Sequence, residues 1–148
     1  LAILQKWIFT ADKHEFIQKG GNVSAFPKCY LPELSALQSS LRIVQAGLEI
    51  AGQKGKDWIP CHALAVSGIL VSDAFPCEEI SYEQAIAYLR KEAVTLSDAA
   101  PRGVVLLTYK HVPLGFVKNI GNRANNLDKA ERHMLSGVSV AAICRRRW

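Results

Sequence analysis

The sequence predicts an α+β fold in two parts, a small α/β domain over residues 1–70 and a β-rich module over residues 71–127. Three observations lead to this prediction. The first part mixes short helix and strand signals, a capping box opens one helix at Ser81, and two apolar runs of strand character follow at 104–109 and 114–120. One capped helix and a small antiparallel sheet or barrel are therefore expected in the second part.

The first part alternates short strands and short helices. Residues 22–26 alternate polar and apolar side chains before a proline, which is typical of a strand. A proline suited to a first helical position, followed by leucines at helical spacing, predicts an amphipathic helix over 32–41. Residues 42–44 and 48–50 have strand character around Gly47, and another proline predicts a helix over about 61–68.

The second part contains the clearest local signal, the capping box Ser81–Gln84, in which the two side chains satisfy backbone groups at a helix N-terminus. Apolar residues then recur at helical spacing, which predicts a helix over about 82–91. Strand character follows at 94–96, at 104–109 and at 114–120, with turn residues between these segments.

The composition is that of an ordinary globular protein, with 49% hydrophobic and 21% charged residues. Disordered, collagen-like and disulfide-scaffold classes are thereby excluded. The longest apolar stretch, Ala63–Val71, is much shorter than the roughly 20 residues of a membrane helix. We therefore expect a soluble protein with no membrane partner. Because Leu1 is not an initiator methionine, we also expect the chain to be a piece of a longer protein.

The positive charge is concentrated towards the end of the chain. Up to Pro101 there are 9 basic and 11 acidic residues, whereas from Arg102 onward there are 9 basic and 2 acidic residues. The formal net charge of +5 therefore divides into −2 and +7. This asymmetry indicates a surface for nucleic acid or another polyanion in the last third, and a solvated basic tail ending in Arg145–Arg147 is the alternative.

No residue pattern indicates a catalytic or metal site. The four cysteines form no CxxC pair and the four histidines lie far apart, so reduced structural thiols in a cytoplasmic protein without a metal are expected. The alternative is an enzyme with a cysteine nucleophile. The candidates are Cys61, which is beside His62, and Cys77, which is beside Glu78 and Glu79. Adjacent helical residues diverge by about 100°, and carboxylates disfavour a thiolate, so both contexts are poor for a nucleophile. No glycine-rich nucleotide motif is present.

A basic, asparagine-rich segment ends the second part. Lys118 lies in a predicted strand, and a glycine turn then leads to Arg123. Four asparagines surround them: Asn119, Asn122, Asn125 and Asn126. Because cationic groups neutralise phosphate and amides both donate and accept at base edges, this segment predicts RNA contact. Tight turns with a solvated charged face are the alternative.

Four sequence segments resemble a known family: Ile80–Glu92, Arg102–Tyr109, Val112–Lys118 and Asn125-Asn126. They resemble the PUA-like C-terminal module of the RsmF-like branch of bacterial ribosomal RNA cytosine 5-methyltransferases, the Sun-type family. Upstream, Ile43–Gly52 and Pro60–Ala65 are similar to the domain that precedes this module in the same proteins. The match runs from about Val23 to Leu127.

The resemblance implies a connecting α/β domain over residues 1–70 and a PUA-like β-barrel module with one capped helix over residues 71–127. In the family these follow a catalytic domain that uses S-adenosylmethionine, in which a cysteine attacks C6 of cytosine and methyl passes to C5. The chain has no room for that domain, so no cofactor and no catalytic residue are expected here. S-adenosylmethionine is expected in the missing domain, and whether the chain is itself an enzyme stays open.

The resemblance also implies partners, namely small-subunit ribosomal RNA and the catalytic domain of the same polypeptide. Lys110 is added to the site for its place at a predicted hairpin turn. The predicted RNA-binding residues are Arg102, Lys110, Lys118, Asn122, Arg123, Asn125 and Asn126. A module that docks on the catalytic domain without RNA contact is the alternative. Residues 128–148 depart from the family pattern and are expected to form an atypical tail.

Overall fold

The computed structural model describes residues 2–127, so the tail predicted at 128–148 lies outside the described residues. The elements, in chain order, are α1 (Ala2–Gln5), β1 (His14–Lys19), β2 (Asn22–Pro27), α2 (Leu31–Ser40), β3 (Leu48–Lys54), β4 (Asp57–Pro60), α3 (His62–Ala65), β5 (Cys77–Glu79), α4 (Tyr82–Leu89), β6 (Gly103–Tyr109), β7 (Val112–Asn119) and β8 (Ala124–Asn126). The α+β prediction is confirmed. None of the described helices is long and apolar enough to span a membrane.

The first sheet is an antiparallel meander in the order β1–β2–β3–β4. Gly20 and Gly21 form the turn between β1 and β2 with φ angles of 57° and 82°, the left-handed region that a two-residue hairpin turn requires. The strands predicted at 22–26 and 48–50 are confirmed as β2 and β3, and the helix predicted at 32–41 is confirmed as α2. The strand predicted at 42–44 is wrong, because these residues lie in the irregular connection between α2 and β3.

The helix predicted over 61–68 ends early. It is α3, which contains only His62–Ala65. The Ser67 hydroxyl donates to the Leu64 carbonyl oxygen at 2.7 Å and accepts from the Ile69 N–H at 3.3 Å. This local bonding competes with a further helical turn, which explains the early end.

The second sheet has the order β5–β6–β7–β8 and is mixed, not antiparallel throughout as the sequence predicts. β5 runs parallel to β6, and α4 lies in the connection between them. A parallel pair needs such a crossover, whereas β6, β7 and β8 are joined by short turns and pair antiparallel. The strands predicted at 104–109 and 114–120 are confirmed as β6 and β7.

The second sheet does not close into a barrel within residues 2–127, so the barrel expectation is corrected to an open sheet with β5 and β8 as edges. The strand predicted at 94–96 is reduced to one bridge between Val94 and Ala124. Helix α4 covers one face, where Ala85 and Tyr88 pack with Val105, Leu107 and Val117. Because the helix already excludes water from this face, the apolar residues are buried without closure.

The opposite face of the second sheet packs on the first part of the chain. Leu106 and Phe116 belong to the same buried cluster as Leu4 and Trp7. The Phe75 ring joins them, with its centroid 4.9 Å from that of Trp7 and 4.9 Å from that of Phe116. This aromatic group fixes the face of β7 that carries Phe116 against the first part.

The predicted capping box is present at the start of α4. Ser81 Oγ accepts from the Gln84 N–H at 3.2 Å, and Gln84 Oε1 accepts from the Ser81 N–H at 2.9 Å. The Gln84 amide also donates to the Thr95 carbonyl oxygen at 2.7 Å. The box therefore fixes the start of the helix and ties the segment after the helix back to it.

Candidate nucleic-acid interface

Lys118 lies near the end of β7, on the face that carries Phe116. Successive strand residues face opposite sides of a sheet, so Lys118 and Phe116 share one face and Val117 and Asn119 share the other. Phe116 is only 1% exposed, whereas Lys118 is exposed. The register places Asn125 of β8 directly beside Lys118. An ammonium group and an exposed amide are therefore neighbours at this end of the sheet.

The turn between β7 and β8 adds two exposed polar residues, Asn122 and Arg123. The Ile120 N–H donates to the Arg123 carbonyl oxygen at 3.1 Å and closes the turn. Gly121 has a φ of 107°, a conformation that residues with a Cβ rarely adopt. The glycine thus permits the tight turn that presents Asn122 and Arg123 to solvent.

Arg102 reaches the same turn from the start of β6. Gly103 pairs with Asn119, which places Arg102 at the Lys118 end of the sheet. A Cβ at position 121 would lie 3.1 Å from Nη2 and 3.3 Å from Nε of Arg102, so the guanidinium lies against Gly121. The absence of a side chain at Gly121 leaves the space for this contact.

Asn119 connects the two segments that carry these cations. It is 6% exposed, and its Nδ2 donates to the carbonyl oxygens of Ala100 and Pro101, both at 3.1 Å. Its Oδ1 accepts from the Gly121 N–H at 2.9 Å. By sequence Asn119 belongs to the asparagine group around Arg123, but the structure gives it a buried role beneath the surface.

We call the resulting surface the basic end. It consists of Arg102, Lys118, Asn122, Arg123 and Asn125, five of the seven residues predicted from sequence. Its three cations can neutralise phosphate groups, and its two exposed amides can donate to or accept from sugars and base edges. A strand end and a tight turn hold these groups on a hydrogen-bonded framework.

Asn126 is not part of the basic end. It lies on the opposite face of β8 from Asn125, and its Nδ2 donates to the Tyr88 carbonyl oxygen at 3.0 Å. Tyr88 is in the last turn of α4, and its carbonyl oxygen also accepts from the Lys91 N–H at 2.9 Å, just past the helix. The Asn126 amide therefore supports the end of the helix.

Lys110 directly follows β6, whose last residue, Tyr109, lies about 17 Å along the strand from Val104, the partner of Lys118. Lys110 and His111 form the turn with φ angles of 50° and 62°. Lys110 Nζ is 5.5 Å from the centroid of the Tyr109 ring, within range of a cation–π contact. Lys110 is thus separated from the other predicted cations.

Glu79 holds this distant turn. Its carboxylate accepts from the Thr108 hydroxyl at 2.7 Å and from the His111 N–H at 3.3 Å. The Thr108 hydrogen bond, with the backbone N–H groups of His111 and Lys110, lowers the pKa of Glu79 below its ordinary value of 4.5. The surroundings of Lys110 therefore include a carboxylate, which makes this end less favourable to phosphate than the basic end.

The two thiols that have titratable neighbours in the sequence lie in different surroundings. Cys61 Sγ donates to Glu49 Oε1 at 3.4 Å, and a carboxylate partner disfavours the thiolate. Cys77 is exposed and its Sγ lies 3.6 Å from the Phe75 carbonyl oxygen. His62 Nδ1 is fully buried beside Gly115, where a Cβ would be 2.8 Å from it. Within residues 2–127, no group of three or more His, Cys, Asp or Glu residues could hold a metal ion.

The second part of the chain matches a known domain. Residues 75–130 match the family model described as the PUA domain of methyltransferase RsmF. This range contains α4, the second sheet and the basic end. This part of the chain is therefore similar to an RsmF-type PUA domain.

Two curated relatives extend the similarity into the first part. The ribosomal RNA small subunit methyltransferase F of Shewanella woodyi is 29% identical over 124 residues, which cover 83% of this chain and 21% of the relative. The protein of the same name from Citrobacter koseri is 30% identical over 111 residues, which cover 74% of this chain and 22% of the relative. The chain is an RsmF-like C-terminal region, and it spans about a fifth of the length of these relatives.

Proposed function

We propose that this chain is the RNA-recognition region of an S-adenosylmethionine-dependent ribosomal RNA (cytosine-5) methyltransferase. It binds small-subunit ribosomal RNA in the cytoplasm and positions it for a catalytic domain of the same polypeptide that lies outside this chain. Residues 1–70 act as the connecting domain and residues 71–127 as the PUA-like module. The names of the relatives support the substrate class.

The observation that carries the proposal is the convergence of Arg102, Lys118 and Arg123 at one end of the second sheet. The strand pairing and the Asn119 hydrogen bonds support these cations from below. Phosphate contacts supply most of the affinity of proteins for nucleic acid, and preformed contacts lose less entropy on binding. Asn122 and Asn125 are the groups with which this surface would contact sugars or bases.

The cofactor of the proposed reaction does not fit the described residues. A nucleotide pocket in an α/β fold uses a strand, a glycine-rich loop and a helix N-terminus. In residues 2–127 strands lead into helices from β2 to α2, from β4 to α3 and from β5 to α4, and none of these three connections contains a glycine. S-adenosylmethionine and the methyl transfer therefore belong, in this proposal, to the catalytic domain.

The test uses the 148-residue chain and fluorescein-labelled fragments that tile small-subunit ribosomal RNA. The double variant Lys118→Gln/Arg123→Gln is expected to weaken binding of the tightest fragment about tenfold or more, because hydrogen bonds to charged groups are lost. The control, Lys54→Gln/Lys56→Gln, removes the same charge from an exposed hairpin of the first sheet and should have little effect. Equal affinities for the two double variants would overturn the proposal.

Docking on the catalytic domain without RNA contact is the second candidate function. It is favoured by Tyr82 and Leu89, which are seven residues apart on α4 and each 60% exposed. Charge reversal by Arg123→Glu separates the two candidates. Unchanged RNA binding together with weaker association with the purified catalytic domain would favour docking, and lost RNA binding would favour RNA recognition.

A further inference from the structure

A cleft of about 490 Å³ lies at the end of the first sheet where β1 begins and β2 ends. We call it the β1–β2 cleft. Its walls come from Thr10 and Lys13 in the segment before β1, from His14 at the start of β1, and from the segment after β2, which includes Lys28. The cleft is outside the residues that match the PUA domain, so nothing in that match assigns it a role.

The residues that line the β1–β2 cleft include more basic than acidic side chains, although the part of the chain before Arg102 has more acidic than basic residues. Lys13 and Lys28 line it from opposite walls, and Asp12 is the one carboxylate among its lining residues. His14 adds an imidazole whose Nδ1 lies 3.0 Å from the Thr10 carbonyl oxygen. Since a carbonyl oxygen only accepts, Nδ1 donates this hydrogen bond and the ring is held in place.

The backbone at the cleft is also unusual. Thr10 has a φ of 59°, in the left-handed region that β-branched residues avoid. Its conformation starts the short 3₁₀ turn Ala11–Lys13, which carries Lys13 into the wall of the cleft. Strained backbone of this kind is concentrated at ligand sites and switch regions.

Two exposed aromatic residues flank the lining residues in the chain. Phe9 precedes Thr10 and is 69% exposed, and Tyr30 follows Cys29 and is 58% exposed. Aromatic rings beside cationic groups are the combination with which proteins bind single-stranded nucleic acid, since the cations contact phosphate and the rings stack on bases. A free inorganic anion would use the cations but not the rings.

We infer that the β1–β2 cleft binds a backbone phosphate of single-stranded RNA through Lys13 and Lys28, with Phe9 and Tyr30 available to stack the neighbouring bases. This inference rests on the proposed function, because it supposes that the chain binds RNA. It makes the first part of the chain a second contact region and not only a connection to the PUA domain.

The test compares salt dependence of binding for the tightest ribosomal RNA fragment. Lys13→Gln/Lys28→Gln removes both cations that hold the phosphate and is expected to reduce the slope of log affinity against log salt by about 0.7, the value for one phosphate contact with a single strand. Lys54→Gln/Lys56→Gln is the matched control, because these lysines are exposed at the opposite end of the same sheet. Their slope should equal that of the unmodified protein.

Three outcomes distinguish RNA binding at the β1–β2 cleft from no binding there and from binding of a free anion. A reduced slope for the cleft variant alone supports the inference, and crosslinks from 4-thiouridine in the RNA to peptides containing Phe9 or Tyr30 would support it independently. An unchanged slope, with Lys118→Gln/Arg123→Gln still weakening binding, overturns the inference and leaves the proposed function standing. Binding of inorganic phosphate that is lost in the cleft variant, without any change in RNA binding, also overturns it.

Discussion

Asn119 Oδ1 accepts a hydrogen bond of 2.9 Å from the backbone N–H of Gly121, the residue against which the Arg102 guanidinium lies. The same side chain donates to two carbonyl oxygens of the loop that leads to Arg102. One buried amide thus connects both chain segments that supply the basic end. Its removal should affect stability and RNA binding together.

Replacing Asn119 by leucine should lower the free energy of unfolding by about 1–3 kcal/mol, the usual effect of leaving buried polar groups without partners. Urea denaturation measures this change. The control Asn122→Leu alters an exposed turn residue and should stay within about 0.5 kcal/mol of the unmodified protein. Equal stability of the two variants would show that Asn119 does not hold the turn.

Replacing Gly115 by alanine should destabilise the junction between α3, α4 and β7. The new Cβ would lie 2.0 Å from the Tyr88 hydroxyl and 2.8 Å from His62 Nδ1, and Tyr88 is only 2% exposed. Overpacking of this kind costs about 1–3 kcal/mol, measured by thermal or urea unfolding. Gly52→Ala, whose Cβ would meet only the end of the Asn22 side chain at 3.2 Å, should have a smaller effect. A larger effect at Gly52 would contradict the prediction.

The carboxylate of Glu79 should make stability depend on pH in the acid range. Its pKa is lowered in the folded state, first by the Thr108 hydroxyl, so its contribution is present above about pH 4.5 and is lost as the pH falls below that value. The stability difference between the unmodified protein and Glu79→Gln should therefore be positive at neutral pH and shrink on acidification. Glu83, whose pKa is also lowered, is present in both proteins and cancels from this difference. A difference that grows towards low pH would have the wrong sign.

The elements that the sequence predicts best have local signals. Ser81 and Gln84 form the capping box by themselves, and the apolar runs of β6 and β7 need no partner to be recognised. β5 is different, because Cys77–Glu79 has no apolar pattern and its parallel partner β6 lies beyond a connection that contains α4. The parallel pairing and the open sheet therefore depend on tertiary packing that no short segment specifies.

The candidate site, like the fold, is predicted in part by local sequence signals and depends in part on tertiary packing. The clustering of cations in the last third of the chain predicts where the RNA-binding region lies. Which of its side chains reach solvent depends on the strand face that each one occupies. Asn125 and Asn126 are adjacent in β8, so the two-residue period already requires them to face opposite sides. Asn119 is buried on one face of β7, whereas Asn122 is exposed because it lies in the turn after that strand. The charge count does not predict the β1–β2 cleft, because Lys13 and Lys28 are far apart in the sequence. They line the same cleft only because β1 pairs with β2.

The salt dependence of ribosomal RNA binding tests most directly whether the basic end contacts RNA. For Lys118→Gln/Arg123→Gln, the slope of log affinity against log salt should fall by about 1.4–1.8 relative to the unmodified chain, since two phosphate contacts are lost. The Lys54→Gln/Lys56→Gln control should keep the original slope. An identical slope in both double variants would contradict the claim that the basic end of the PUA domain binds RNA.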